Sequence, residues 1–173
     1  MSHKPTIIAV ATPSGSGAIA VIRLSGPQAI PWVNDCFQSI KPKKLIDQKS
    51  HTVHLGYLND GPAIIDQVLV TLFRGPHSYT GEDVVEISCH GSTYIQQRIM
   101  QLFLGLGAQV AQGGEFTLRA FLNGKMDLSQ AEAVADLIQS ESEAAHQIAV
   151  QQMRGGFGSQ LKDLRAQLMH FAS

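Results

Sequence analysis

Several features that would assign a function directly are scarce or missing in this sequence. Its 173 residues include only two cysteines, Cys36 and Cys89, and no CxxC pair or Cys/His ladder. Two cysteines in a chain of this size favour a reducing compartment over a disulfide scaffold. No apolar run approaches the ~20 residues of a membrane span, and the amino terminus has no signal-peptide core. We therefore expect a soluble cytoplasmic protein without a membrane partner.

Charge is also scarce. Charged residues make up 16% of the chain, and 13 basic residues against 14 acidic ones give a net charge of -1. Because phosphate-binding domains usually carry a basic excess, this balance argues against simple nucleic-acid binding. A local basic face is still compatible with it, and Lys41, Lys43 and Lys44 indicate a solvated basic turn.

The motifs of common nucleotide-binding and hydrolytic sites are missing as well. The sequence contains no GxxxxGK[ST] P-loop and no GxSxG nucleophile elbow. Gly15-Ser16-Gly17 precedes a predicted strand rather than a helix, which favours a turn over a dinucleotide fingerprint.

The cysteines and histidines form no convincing reactive pair. Cys89 and His90 are neighbours on a predicted strand and point to opposite faces, so they cannot form a dyad with each other. We expect Cys89 to be buried and His90 to lie at a loop edge. His51 and His54 lack metal-site spacing and a nearby carboxylate, so we expect both at the surface.

Hydrophobic residues, at 44%, are sufficient for a buried core. In the first ~112 residues, glycine and proline separate short apolar segments, which predicts an α+β domain with a small mixed β-sheet and packed helices. Asn59-Asp60-Gly61 indicates a hairpin, and Ser92 is a candidate cap for a helix. The predicted strands are 6–11, 19–24, 52–58, 64–73, 84–89 and 108–111; the predicted helices are 27–37 and a segment whose apolar stripe is Ile95, Ile99, Leu102 and Phe103.

The pattern becomes helical from Asp127 onward. Asp127 and Gln130 resemble a capping box, which marks a helix start. The predicted apolar face consists of Leu128, Ala131, Val134, Ala135 and Ile138. Helical periodicity continues to Leu168, interrupted only by Gly155–Gly158, and the chain stops without a cap. We therefore expect one domain over residues 1–120 and the truncated start of an all-α domain over 121–173.

Three charged residues stand in unusual places. Arg23 is the lone charge in one apolar strand, and Glu86 lies in another, where an unpaired carboxylate would be costly. A salt bridge or an edge strand would explain Glu86, and so would a ligand that offers N–H donors. Lys125 follows Asn123-Gly124 at a junction between elements. Periodicity alone cannot bring these three residues together.

Three segments, which follow one another along the chain in the family's order, carry a family resemblance. Thr6–Pro27, Tyr79–Gly91 and Gly114–Ala135 are similar to the start of the MnmE/TrmE family of bacterial tRNA-modifying GTPases. The resemblance implies that residues 1–120 are a tetrahydrofolate-binding, dimer-forming domain and that 121–173 begin the helical domain. It also implies a GTPase domain, absent here, that would hold GTP, Mg²⁺ and K⁺.

The resemblance also implies a cofactor and its contacts. Arg23, Glu86 and Lys125 match the family's folate contacts, and the cofactor would be 5-formyl- or 5,10-methylene-tetrahydrofolate. A carboxylate can accept hydrogen bonds from both the amino group and a ring N–H of a pterin, and cations suit its carbonyl or the glutamate tail. The chain departs from the family pattern at Ser16, and at Gln112 and Gly113. No catalytic or metal residue is predicted.

The implied function is the N-terminal part of a tRNA modification GTPase. The family works as a homodimer with the FAD-dependent MnmG (GidA) protein and installs a 5-carboxymethylaminomethyl or aminomethyl group on the tRNA wobble uridine. The fragment would supply folate binding and dimer contacts without GTP hydrolysis or catalysis of its own. Two alternatives are a dimerisation and docking scaffold without folate binding, and a stand-alone folate-dependent aminomethyl transferase.

Overall fold

The computed structural model describes residues 4–155 and residue 169. The chain divides into two compact units, residues 1–116 and 117–173. The predicted boundary between residues 120 and 121 stays a prediction.

The described part of the first unit contains a seven-stranded sheet. Its spatial order is β3-β4-β5-β6-β2-β1-β7. Neighbouring strands are antiparallel except β1 and β7, which are parallel, so the predicted mixed sheet of an α+β fold is confirmed. The strands are β1 (Ile7–Val10), β2 (Ile19–Ser25), β3 (Phe37–Ser39), β4 (Thr52–Asp60), β5 (Ala63–Phe73), β6 (Val84–His90) and β7 (Gln109–Val110).

Two helices, α1 (Ala29–Cys36) and α2 (Thr93–Gly105), pack against one face of this sheet. Alternate residues of the strands supply the apolar surface beneath them, because successive side chains of a strand point to opposite faces. Ile22, Ile87 and Val70 lie side by side in the register and are fully buried. The face opposite the two helices is called the open face below.

The predicted apolar stripe of α2 is confirmed, but the predicted cap is not. Ile99 and Phe103 are completely buried, with Ile95 and Leu102 packed against the same core. Ser92 occupies the position before the helix without making a side-chain cap hydrogen bond. Its backbone carbonyl instead accepts a hydrogen bond from the Gln96 N–H.

The predicted hairpin is confirmed, because β4 and β5 pair antiparallel on either side of Gly61, whose φ is +56°. The register shifts between Leu58 and Asn59, a local irregularity that the turn motif did not predict.

The prediction that both histidines lie at the surface is wrong for His54. His51 is exposed, whereas His54 lies opposite Val70 on the helix-packed side of the sheet and is 3% exposed. Its Nε2 pairs with the Thr52 hydroxyl, and within the described residues its buried Nδ1 has no hydrogen-bond partner. Burial, followed by the nearby Lys43 charge, lowers the pKa of His54.

The described part of the second unit is helical, as predicted. Helix α3 (Glu115–Leu122) crosses the boundary between the units, and α4 (Leu128–Gln139) and α5 (Glu143–Met153) follow. The Asp127–Gln130 capping box at the start of α4 is confirmed. None of the helices in residues 4–155 combines the length and hydropathy needed to cross a bilayer.

The predicted apolar face of α4 lies on a helix, as predicted, but it is not the buried face within the described residues. Leu128 and Ile138 are 59% and 80% exposed, while Ala133 is buried. Helix α4 packs against α5, where Ala149 is also buried, and Gln130 Nε2 donates to the Met153 carbonyl at 2.9 Å. A break at 140–142 separates the two helices, although the periodicity of the sequence predicts a continuous helix there. The predicted interruption at Gly155–Gly158 and the helical pattern after it lie outside the described residues, apart from Gly155 and residue 169.

The stability of the first unit is expected to fall at mildly acidic pH because of His54. A folded-state pKa below the ordinary value of 6.5 means that the unfolded chain takes up a proton first as the pH falls. The contribution of neutral His54 to the free energy of unfolding is therefore complete above pH 6.5. It is lost as the pH falls through the pKa of His54 in the folded state. Urea unfolding between neutral and acidic pH measures this loss. His54→Leu should flatten the dependence, whereas the exposed-site control His51→Gln should leave it unchanged; equal curves for His54→Leu and the wild type would contradict the assignment.

The Cys89 thiol is expected to be unreactive in the folded protein. It is 3% exposed, and burial, followed by the Asp66 charge, raises its pKa to about 11. Because the thiolate is the reactive form, almost none is present at pH 8. In a Cys36→Ser variant, a colorimetric thiol reagent should detect no rapid reaction until denaturant is added. Fast modification of the native variant would show that Cys89 is accessible.

Candidate ligand-binding site

Arg23 and Glu86 meet at the centre of the open face. They lie directly opposite each other in the register of β2 and β6. Arg23 Nε donates to Glu86 Oε1 at 2.8 Å, and Arg23 Nη2 is 2.7 Å from the same oxygen. Because β6 pairs with β5 on its other side, the edge-strand explanation for Glu86 is wrong and the salt-bridge explanation is confirmed.

The ion pair leaves part of the Glu86 carboxylate unused. Both contacts from Arg23 go to Oε1, and no hydrogen bond to Oε2 occurs within residues 4–155. The side chains of Arg23 and Glu86 are 27% and 26% exposed, so a ligand can approach both without unfolding the sheet. The second oxygen is therefore an acceptor that a ligand with N–H groups can use.

Two aromatic rings border the guanidinium. Arg23 Cζ lies 5.4 Å from the centre of the Tyr79 ring and 5.5 Å from that of Phe116, both within the range of cation–π contacts. Neither ring is predicted by the positions of the charged residues in the sequence. Their position within the family-like segments Tyr79–Gly91 and Gly114–Ala135 was the available signal.

The segment from Gly75 to Asp83 holds Tyr79 near the pair. Ser25, at the end of β2, hydrogen-bonds Glu82 Oε2 and Thr80 Oγ1, each at 2.7 Å. Asp83 accepts a hydrogen bond from Gly75 N through Oδ1 at 2.9 Å. Glu82 and Asp83, the two carboxylates that precede Glu86 in the sequence, therefore help to fix the segment, whereas Glu86 lies on the open face.

Lys125 belongs to the second unit. It follows α3 at a turn where Gly124 has a φ of +70°, and its backbone N–H donates to the Ala120 carbonyl at 2.9 Å. Lys125 therefore lies between α3 and α4, which confirms the prediction that it stands at a junction between elements. The structure thus joins Arg23 with Glu86, and the assignment of Lys125 to the same site stays a prediction.

His90 lies at the exposed end of β6. The backbone N–H of His90 donates to Asp66 Oδ2, and the His90 Nδ1 lies 2.8 Å from Asp66 Oδ1. Cys89 is buried on the other face, so the predicted absence of a dyad between them is confirmed. Within the described residues, no group of three or more His, Cys, Asp or Glu side chains is arranged to hold a metal ion.

A separate cavity of about 310 Å³ lies where the β1–β2 turn meets the start of α2. Ser14, Thr93 and Gln96 are among its lining residues, and none of its lining side chains carries a charge. Gln96 is committed to two backbone carbonyls, those of Gly15 and Gly91, through its Nε2. This cavity does not include Arg23 or Glu86.

Comparison with known proteins identifies the family. A family model described as "GTP-binding protein TrmE N-terminus" matches residues 6–125, and one described as "MnmE helical domain" matches residues 128–173. The curated protein "tRNA modification GTPase MnmE" of Flavobacterium psychrophilum is 63% identical over 173 residues, which cover all of this chain and 37% of that protein.

Other relatives carry the same name. The protein of Flavobacterium johnsoniae is 62% identical over 173 residues, all of this chain and 37% of that protein, and that of Bacteroides thetaiotaomicron is 57% identical over 172 residues, 99% of this chain and 37% of that protein. The chain thus spans little more than a third of the length of these relatives. With two family models side by side and identity this high, the chain belongs to the MnmE/TrmE family of tRNA modification GTPases.

Proposed function

We propose that this chain binds a reduced folate, 5-formyl- or 5,10-methylene-tetrahydrofolate, as the one-carbon donor in tRNA modification. The Arg23–Glu86 pair on the open face is the observation that carries the proposal. Its residues match the folate contacts implied by the family resemblance, and its geometry leaves a carboxylate oxygen for a ligand.

Hydrogen bonding at Glu86 suits a pterin. The pterin has an exocyclic amino group beside a ring N–H, and a carboxylate accepts a hydrogen bond from each. Oε2 of Glu86 is available, and Oε1 can be shared if Arg23 turns toward the ligand. Hydrogen bonds to a charged group are worth about 1.5–3 kcal/mol each, so this contact would supply a large part of micromolar affinity.

Arg23 and Lys125 would supply the complementary cations. Either one suits the pterin carbonyl or the glutamate carboxylates of the folate. The Tyr79 and Phe116 rings, both close to Arg23, offer apolar surface against which a planar heterocycle can pack. Together these groups suit a flat ligand that donates hydrogen bonds from one edge and is polar at its other end.

In the whole protein, this chain would act beside a GTPase domain. The relatives are named as GTPases, and the chain contains no GxxxxGK[ST] motif, so GTP, Mg²⁺ and K⁺ would bind in a domain outside residues 1–173. Together with MnmG and tRNA, the full protein would add the 5-carboxymethylaminomethyl or aminomethyl group to the wobble uridine in the cytoplasm. The fragment itself would not catalyse this step.

We also propose that the first unit forms the homodimer contact. On the open face of β4, Val53 and Leu55 are 58% and 45% exposed, and Leu69 of β5 is 44% exposed beside them. Exposed apolar side chains grouped on one face are typical of protein–protein contacts. A second copy of this chain is the partner that the family resemblance implies.

The scaffold alternative has a specific observation in its favour. Arg23 and Glu86 already form an ion pair across two central strands, so their charges are compensated without a ligand. In that case the first unit would hold two subunits together without binding folate. The alternatives differ in whether the isolated chain binds a reduced folate.

Calorimetric titration of the chain with 5-formyltetrahydrofolate should give micromolar binding, about -8 kcal/mol. Glu86→Gln keeps the size of the side chain and removes its charge, so it should weaken binding by about 2 kcal/mol, roughly thirtyfold. Asp60→Asn is a matched control, because Asp60 forms an ion pair with Arg98 away from Arg23 and Glu86.

The control should bind folate as the wild type does. If the folded wild type binds no folate, the folate proposal is wrong and the scaffold alternative is supported. Equal weakening by Glu86→Gln and Asp60→Asn would show that Glu86 acts through general electrostatics or stability rather than at the pterin.

A further inference from the structure

The loop between β3 and β4 concentrates positive charge in a chain whose net charge is -1. Residues 41–49, here called the lysine loop, contain four lysines and a single acid, Asp47. All four lysine residues are exposed, and none of them forms a salt bridge with a described carboxylate. The lysines are Lys41, Lys43, Lys44 and Lys49.

The lysine loop has a defined conformation. Leu45 is 1% exposed and anchors the loop in the core, where a 3-10 turn covers Leu45–Asp47. The Ile46 N–H donates to Asn34 Oδ1 on α1 at 3.3 Å, and Gln48 Nε2 donates to the Lys44 carbonyl at 2.9 Å. The lysines therefore project from a folded turn rather than from an unconstrained tail.

Arg74 adds a further cation. It follows β5, and its Nε and Nη2 donate to the carbonyls of Gln48 and Ile46 at 3.0 and 2.6 Å. Within the described residues its guanidinium has backbone partners and no carboxylate partner, so its charge is not cancelled there. Acids lie near these cations as well: Asp47 in the loop, Asp35 on α1, which accepts a hydrogen bond from Asn34, and Asp83, which accepts one from the N–H of Gly75 beside Arg74.

We propose that the lysine loop, together with Arg74, contacts the phosphate backbone of the tRNA substrate. This inference rests on the proposed function in tRNA modification, and it assigns a place on the chain to the RNA. Lysine ammonium groups bind phosphates as compact point charges and carry no base preference. The loop has no aromatic residue for base stacking, so it would position the RNA rather than read its sequence.

An anionic membrane surface is the competing partner for a basic loop. Ile40 and Ile46 are 53% and 47% exposed near the lysines and could contact lipid. However, Ile46 belongs to a short 3-10 turn, whereas interfacial anchoring commonly uses an amphipathic helix with a continuous apolar face. The relatives are named for tRNA modification, which favours RNA.

The test is binding of a fluorescent tRNA transcript by anisotropy across a series of salt concentrations. Lys43→Gln/Lys44→Gln removes two charges from the loop, and Lys4→Gln/Arg154→Gln removes two exposed charges elsewhere as a matched control. Each lost phosphate contact should lower the slope of log affinity against log salt by about 0.7–0.9. The loop variant should therefore lower it by about 1.4–1.8 and weaken binding about tenfold at low salt, whereas the control should change affinity less than about twofold.

Three results would overturn the inference: no tRNA binding by the wild type at low salt, equal losses in the two double variants, or retention of the wild type on phosphatidylserine vesicles at least as strong as on tRNA. A 5-formyltetrahydrofolate titration of the same samples separates this inference from the proposed function. Folate binding without tRNA binding would reject the lysine loop alone, whereas loss of both would reject the two proposals together. The loop variant should bind folate as the wild type does.

Discussion

The register between β2 and β6 is the constraint that creates the Arg23–Glu86 ion pair and places it at the centre of the open face. A lone charge in either strand would face a partly buried environment without compensation, and the register of β2 and β6 places the two charges directly opposite each other. A slip of one residue would turn Arg23 toward the helix-packed face, where Ile22 and Leu24 are fully buried. Cross-strand pairs contribute only about 0.2–1 kcal/mol, and these side chains are about a quarter exposed. An apolar pair could provide comparable stability, so stability alone does not explain why charges stand here.

The surroundings of the pair follow from the same arrangement. Ser25, two residues beyond Arg23, is fully buried and binds Thr80 and Glu82, which ties the segment after β5 to the end of β2. This contact holds Tyr79 near the guanidinium. The polar network at one end of β2 thus supports the ring that borders the candidate site. A ligand at Glu86 would meet groups that are already fixed in position.

The predictable parts of the fold were those governed by local periodicity and turn chemistry. Six of the seven strands in the described residues, the β4–β5 hairpin, the apolar stripe of α2 and the Asp127 capping box all depend on residues close in sequence, whereas β3 was not predicted. The errors arose where long-range packing decides. His54 is buried by its place in the sheet, and on α4 the buried residue is Ala133, whereas Leu128 and Ile138 are exposed. Arg23 and Glu86 meet because of the order of the strands, which the alternation of side chains along a single strand does not specify. The family resemblance identified both residues. The positions of Tyr79 and Phe116 beside Arg23 became visible only in the three-dimensional structure.

The most direct test is an NMR experiment on the chain with and without 5-formyltetrahydrofolate. If the pair holds the pterin, the Arg23 Nε–H resonance should shift on saturation, and ligand protons should show contacts to the rings of Tyr79 or Phe116. An unchanged Arg23 Nε–H signal, with the shifts confined to Thr93 and Gln96 at the separate cavity, would contradict a folate site at Arg23 and Glu86.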